Sequence, residues 1–361
     1  MEAQAALQKP YATEPTSEIW KTYDPSLHFY YSQLTDAEKR LFSARCDAIA
    51  LGDASLWNYQ VNSVNSFSLS RARVDYTLMN DCPELMFYDY DCPGYGALQV
   101  PSDEYLSENP ERLRRQNEEC SFAISRIIQG TTELEKELAI DDYIKATCTY
   151  TAVPDEGKSA DSLCSAHACL VDGKALCVGY TMGAEYALRV AGIECATVGG
   201  DIKNFSGLDA GHTWNLVRIN GSWYQCDFTW DDRDDEDCLE DFYPYMNLST
   251  VEIRSSRSEY PVRAQLDFTH PQCMDKKDNY YVITNQVLDA NWQVTLSLLI
   301  SLHKAVGMHG TGVRFESAEL YDDFKANYKA YTLYLCSKMP RLILTLKTKT
   351  DDNIRFAYFT W

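Results

Sequence analysis

Apolar residues along this chain recur at two spacings, and the changes between them divide it into segments. Leu41, Phe42, Ala48 and Ile49 follow a capping box formed by Thr35 with Glu38 and stop near Gly52, which predicts a helix. From Tyr59 to Tyr90 the pattern changes to shorter runs with valine, phenylalanine and tyrosine. Asp81-Cys82-Pro83 breaks it ahead of Leu85-Met86-Phe87-Tyr88, which reads as a strand. Charged residues interleaved with apolar ones at helical spacing return from Glu104 to Ile128, with Gly130 as the stop. A second capping box, Thr132 with Glu135, opens another helix in which Leu134, Leu138, Tyr143 and Ile144 share a face.

After the loop Pro154-Asp155-Glu156-Gly157-Lys158, the apolar segment headed by Cys177 runs through Tyr186, Ala187, Val190 and Ala191 at helical spacing and closes at Gly192. Two alternating runs follow, His212 to Ile219 and Ser222 to Thr229, joined by Asn220-Gly221, a two-residue hairpin signal. The tail from Tyr280 reads as a strand, a helix from Trp292 to Ala305, a glycine-rich turn at Gly307 to Gly312, a strand at Val313 to Phe315, a helix through Tyr328 and a strand-rich end. No repeat of fixed period and no low-complexity block interrupts the order.

Register turns the hairpin into a geometric expectation. With Ile219 opposite Ser222, His212 falls opposite Thr229, and Asp227 is its diagonal neighbour on the same sheet face. That diagonal spans ~7 to 8 Å, short enough for a carboxylate to reach an imidazole. Cys177 would stand at a helix N-terminus, where unpaired amides and the positive end of the macrodipole favour a thiolate and can hold an oxyanion. Nucleophile, general base and orienter then follow in that order as Cys177, His212 and Asp227. A second oxyanion donor is sought in the preceding loop at Ser165 or His167. Tyr180 and Trp214 are further residues for a cleft wall, although the core is the commoner place for such rings.

Composition narrows the class. A chain of 361 residues with 45% hydrophobic residues can bury a sizeable core in two or three domains. Its net charge of -20 disfavours nucleic acid and anionic lipid as partners. The longest apolar stretch, around Val294 to Leu302, falls short of the ~20 residues of a membrane span, so the chain reads as soluble, without membrane insertion.

Thirteen scattered cysteines suggest mostly free thiols buried as small hydrophobes, as in a reducing or anaerobic setting. Met1 to Ala5 carries no basic and apolar leader, which leaves cytoplasm and secretion both open; oligomeric state is not readable. Cys164-Ser165-Ala166-His167-Ala168-Cys169 lacks zinc spacing, so neither metal nor other cofactor is expected. The acidic run Asp231, Asp232, Asp234, Asp235, Glu236, Asp237, Glu240 and Asp241 reads as a solvated loop at the cleft rim, suited to basic substrate segments.

Four linked motifs between residues 132 and 250 resemble the transglutaminase-like superfamily. They are Asp172-Gly173-Lys174-Ala175-Leu176-Cys177-Val178-Gly179-Tyr180, Ala191-Gly192-Ile193-Glu194-Cys195, Gly211-His212-Thr213-Trp214-Asn215, and the run from Gly221 to Asp232. Upstream, the segment from Asn80 to Phe87 and the helix of Glu133 to Ile144 are similar to the N-terminal part of bacterial multidomain members. The resemblance implies a papain-like α+β core in which the helix carrying Cys177 packs on an antiparallel sheet carrying His212 and Asp227. It also implies the roles of nucleophile, base and orienter for those three residues. Where related bacterial sequences often have a tyrosine-glycine pair, this chain has His167-Ala168.

The expected layout is a mixed N-terminal region at 1–130, the core at 131–261 and a small α/β domain at 262–361. The expected activity is thiol-dependent hydrolysis of an amide in a protein or peptide, through a thioester. Crosslinking by glutamyl transfer is the alternative, as is a binding scaffold without turnover.

Overall fold

The computed structural model describes residues 11–20, 24–57, 59, 69–85, 103–128, 130–156, 160–205, 208–232, 242–260, 266–338 and 347–361. Of the expected features, the strand at Leu85 to Tyr88 past its first residue, and Asp234, Asp235, Glu236, Asp237, Glu240 and Asp241 of the acidic run, lie outside the described residues. The chain divides into two compact units: Met1–Gly199 with Thr213–Asn215 and Tyr260–His270, and Gly200–His212 with Leu216–Glu259 and Pro271–Trp361.

The first unit is built on helices Asp36–Leu51, Leu69–Asn80, Asp103–Ser125, Glu133–Thr147 and Cys177–Val190. Both expected capping boxes are present, Thr35 with Glu38 and Thr132 with Glu135, so two orphan amides at each start are satisfied by side chains. Gly52 ends the first helix at φ 69, the left-handed conformation that glycine adopts without strain. Leu69–Asn80 is a helix where the sequence suggested extended runs. Its buried Val74, Thr77 and Leu78 lie three and four residues apart, a spacing too short to stand out among the tyrosines and valines around it.

Phe42, Val74, Leu113, Ile124, Ile140, Ile144, Tyr186 and Leu188 are fully buried in this unit. Charge is buried there too. Arg189 pairs with Asp81 at 2.5 Å and with Glu185, and Glu185 also accepts from the Thr197 hydroxyl.

Strands Cys195–Phe205, Leu208–Ile219, Ser222–Cys226 and Arg257–Glu259 belong to a four-stranded sheet, in which Leu208–Ile219 lies between Ser222–Cys226 and Cys195–Phe205, and Arg257–Glu259 forms the far edge. Ile202 pairs antiparallel with Arg257. Asn220 and Gly221 both have positive φ, 49 and 80, as the predicted hairpin turn requires.

The second unit also holds a four-stranded sheet in the order Val287–Leu288, Gly310–Phe315, Phe356–Thr360, Lys347–Asp351, together with helices Trp292–Ala305 and Ala318–Lys338. Leu288, Trp292, Leu296, Ile300, Val313, Phe315, Phe324 and Phe359 form its core. Tyr280–Ile283 is one helical turn capped by Asn279, not the expected strand. Gly310 and Gly312 lie within the strand instead of the turn. A Cβ on Gly312 would stand 2.8 Å from the rings of Phe356 and Tyr281, so only glycine fits beneath those aromatics.

Candidate active site

Cys177 is the first residue of the helix Cys177–Val190. The approach to it is tightly built. Gly173 turns at φ 73, and Lys174–Ala175 then pairs in parallel with Thr149–Tyr150 before Leu176 caps the helix in extended conformation. Leu176 offers no side-chain acceptor to the first turn, which leaves that end to the backbone dipoles that favour an anion. Thr181, one turn on, donates to the Cys177 carbonyl at 2.8 Å and shares a 3.0 Å hydroxyl contact with Thr213. Asn215 donates to the Thr181 carbonyl at 3.2 Å.

Of the ten cysteines whose side chains are described, Cys177 and Cys164 have intermediate exposure and eight are buried. Burial pushes the thiols of Cys46 and Cys273 up to about 11 and about 12, which makes them poor nucleophiles at neutral pH.

Tyr150 belongs to this neighbourhood although the sequence did not single it out. Its ring lies 6.3 Å from that of Tyr180, and burial, followed by the negative charge of Cys177, raises the pKa of its hydroxyl. A lone tyrosine beside a turn has no spacing signal that would have marked it.

The other residues proposed for oxyanion or cleft roles, Ser165, His167, Tyr180 and Trp214, stand as follows. The Ser165 hydroxyl accepts the N–H of Ala168 at 3.1 Å. His167 contacts Glu119 through Nε2 at 2.7 Å and Asp172 through Nδ1 at 3.3 Å. Burial works to lower its pKa, but the two carboxylates prevail and raise it. Tyr180 and Trp214 are completely enclosed.

In the second unit, His212 and Asp227 meet directly, His212 Nε2 lying 2.8 Å from Asp227 Oδ2. Both are buried. The contact is made differently from the register expectation, because the second hairpin strand ends at Cys226 and does not reach Thr229. Asp227 instead caps the helical turn Phe228–Asp231, its Oδ1 accepting the N–H of Trp230 at 3.2 Å, while its own N–H donates to the Tyr245 carbonyl at 3.1 Å. The short helical turn is favoured by that cap, since an aspartate satisfies the orphan amide that a strand would have sent to a neighbour.

Arg257 completes the group. Its Nη2 and Nε donate to Asp227 Oδ2 at 2.7 and 3.0 Å. Burial tends to raise the Asp227 pKa, yet the charges and hydrogen bonds of His212 and Arg257 outweigh it and hold the carboxyl below its ordinary value. Arg257 was not read from the sequence, where it stands in the unremarkable run Arg254-Ser255-Ser256-Arg257.

Among the described residues no cluster of His, Cys, Asp or Glu could hold a metal ion, and no helix is long and apolar enough to cross a membrane.

Residues 123–228 match the family model of the transglutaminase-like superfamily, a span that takes in Cys177, His212 and Asp227. Two solved structures are similar over a limited part. One is a candidate cysteine protease from Cytophaga hutchinsonii, 16% identical over 37% of this chain and 40% of that one, at a TM-score of 0.27. The other is a TGase, 19% identical over 39% of this chain and 38% of that one, at a TM-score of 0.30. The chain thus matches about two fifths of each. No curated protein matches it.

Proposed function

We propose that this chain, with its transglutaminase-like core at 123–228, is a cysteine hydrolase that cleaves amides in proteins or peptides through a Cys177, His212, Asp227 triad. The observation that carries the reading is the buried 2.8 Å contact between His212 and Asp227, in the same matched segment as a half-exposed cysteine at a helix start.

With Nε2 engaged by Asp227, Nδ1 of His212 is the nitrogen that takes the thiol proton, giving a thiolate and imidazolium. The thiolate adds to the carbonyl, and the oxyanion is held by amides at the helix start, the Cys177 N–H first. As the carbon–nitrogen bond breaks, the imidazolium gives its proton to the departing amine and leaves a thioester. Water then attacks the thioester. His212 takes the water's proton and returns one to the sulfur, which restores the thiol and releases the acid.

Water as the acceptor separates this reading from glutamyl transfer. The test is incubation of a glutamine-rich protein with a fluorescent primary amine, alongside a peptide library analysed by mass spectrometry. New amine termini or loss of ammonia without amine incorporation supports hydrolysis; incorporation dependent on Cys177 makes the chain a transferase. No Cys177-dependent product in either assay, with Cys177 alkylated no faster than buried thiols, overturns both and leaves a scaffold.

A further inference from the structure

Arg257 is buried more deeply than a surface cation ever is, at 1% exposure, and every nitrogen of its guanidinium is hydrogen-bonded. Nη1 donates to the Ser256 hydroxyl at 2.9 Å; Nε and Nη2 both converge on Asp227 Oδ2. The guanidinium lies 4.5 Å from the Trp230 ring centre and 4.9 Å from that of Tyr245, so two aromatic faces fix its plane. Backbone pairing of Arg257 with Ile202 anchors the residue from the sheet side.

The oxygen Arg257 grips is the one His212 uses. Asp227 Oδ2 therefore receives His212 Nε2 and two guanidinium N–H groups, while Oδ1 receives, among the described residues, the Trp230 amide at 3.2 Å. A carboxylate held by one amide can rotate about its Cβ–Cγ bond. One held by a rigid bidentate cation cannot do so without breaking two charge-assisted hydrogen bonds.

We propose that Arg257 is a positioning residue for the triad, fixing the Asp227 carboxylate so that Oδ2 faces His212 and the imidazole keeps the orientation and tautomer that activate Cys177. This rests on the triad reading above, and it assigns to a residue outside the matched segment, 123–228, a share in that chemistry.

The test is the rate of Cys177 alkylation by iodoacetamide, followed by peptide mass spectrometry from pH 5 to 9, with thermal unfolding of each variant recorded beside it. D227N and R257M should each slow alkylation at pH 7 by roughly tenfold, the effect of about one unit in the thiolate equilibrium. R257K, which keeps the charge, should recover most of the rate. Because Arg257 acts through Asp227, the double variant R257M/D227N should be no slower than D227N alone.

A purely structural Arg257 gives a different result: R257M lowers the unfolding temperature but alkylates at the wild-type rate, or its loss multiplies with that of D227N. Either result overturns the proposal. Should R257M fail to fold, R257Q and R257Q/D227N make the same comparison. If H212Q and D227N also alkylate like wild type, the triad reading itself falls and this proposal with it.

Discussion

Leu163 and Gly179 share a space that holds one atom. The Leu163 carbonyl oxygen accepts the N–H of Leu176, the residue before the nucleophile, at 3.0 Å, and it stands where a Cβ on Gly179 would be. A methyl there would also lie 2.8 Å from the Ala175 Cβ. Gly179→Ala must therefore push a backbone carbonyl away from the start of the Cys177 helix. We expect a loss of about 1 to 3 kcal/mol in urea unfolding, together with slower alkylation of Cys177.

Gly221 provides the contrasting case. It has φ 80, and among the described residues nothing lies within 4 Å of where a Cβ would stand, so Gly221→Ala meets conformational strain. The expected cost is about 1 kcal/mol in unfolding free energy, with the alkylation rate unchanged.

His212 is placed as both base and acid in the proposed cycle. Replacing it with glutamine should lower any Cys177-dependent turnover by roughly a hundred- to ten-thousand-fold, with little change in KM. Steady-state kinetics on the first substrate identified would check it.

The buried Glu185 gives a pH prediction whose sign follows from its environment. Burial raises its pKa from 4.5 to about 7, against the opposing pull of Arg189 and Thr197; Asp81, on the same arginine, is raised in the same direction. A raised carboxyl binds its proton more tightly in the folded state, so its contribution is full below the ordinary value of 4.5 and is lost as pH rises through about 7. Urea midpoints should therefore fall between those pH values, and Glu185→Gln should flatten that part of the curve.

Two leucines of one helix should respond to very different extents. Leu296 is fully buried and Leu298 is 65% exposed. Leu296→Ala should cost about 2 to 5 kcal/mol through transfer and cavity terms, and Leu298→Ala no more than about 0.5 kcal/mol. Chemical denaturation of both variants would measure the contrast.

Local physics made much of this protein legible in one dimension. The capping boxes at Thr35 and Thr132 act over three residues, and the Asn220-Gly221 turn needs only its own backbone conformation. Both were readable because the interactions that determine them are close in sequence. The nearness of His212 and Asp227 was legible in part, since the Asn220-Gly221 turn returns the chain along a strand that ends at Cys226, just before Asp227.

Tertiary structure decided the rest. Asp227 left the strand to cap a helical turn, the tail glycines entered a strand because aromatic rings from Tyr281 and Phe356 fill the space over Gly312, and Ser165 and His167 took local partners. Arg257 joined Asp227 from thirty residues away. Such choices depend on which groups arrive from distant segments to satisfy a buried charge or fill a volume, and neither periodicity nor turn chemistry carries that information.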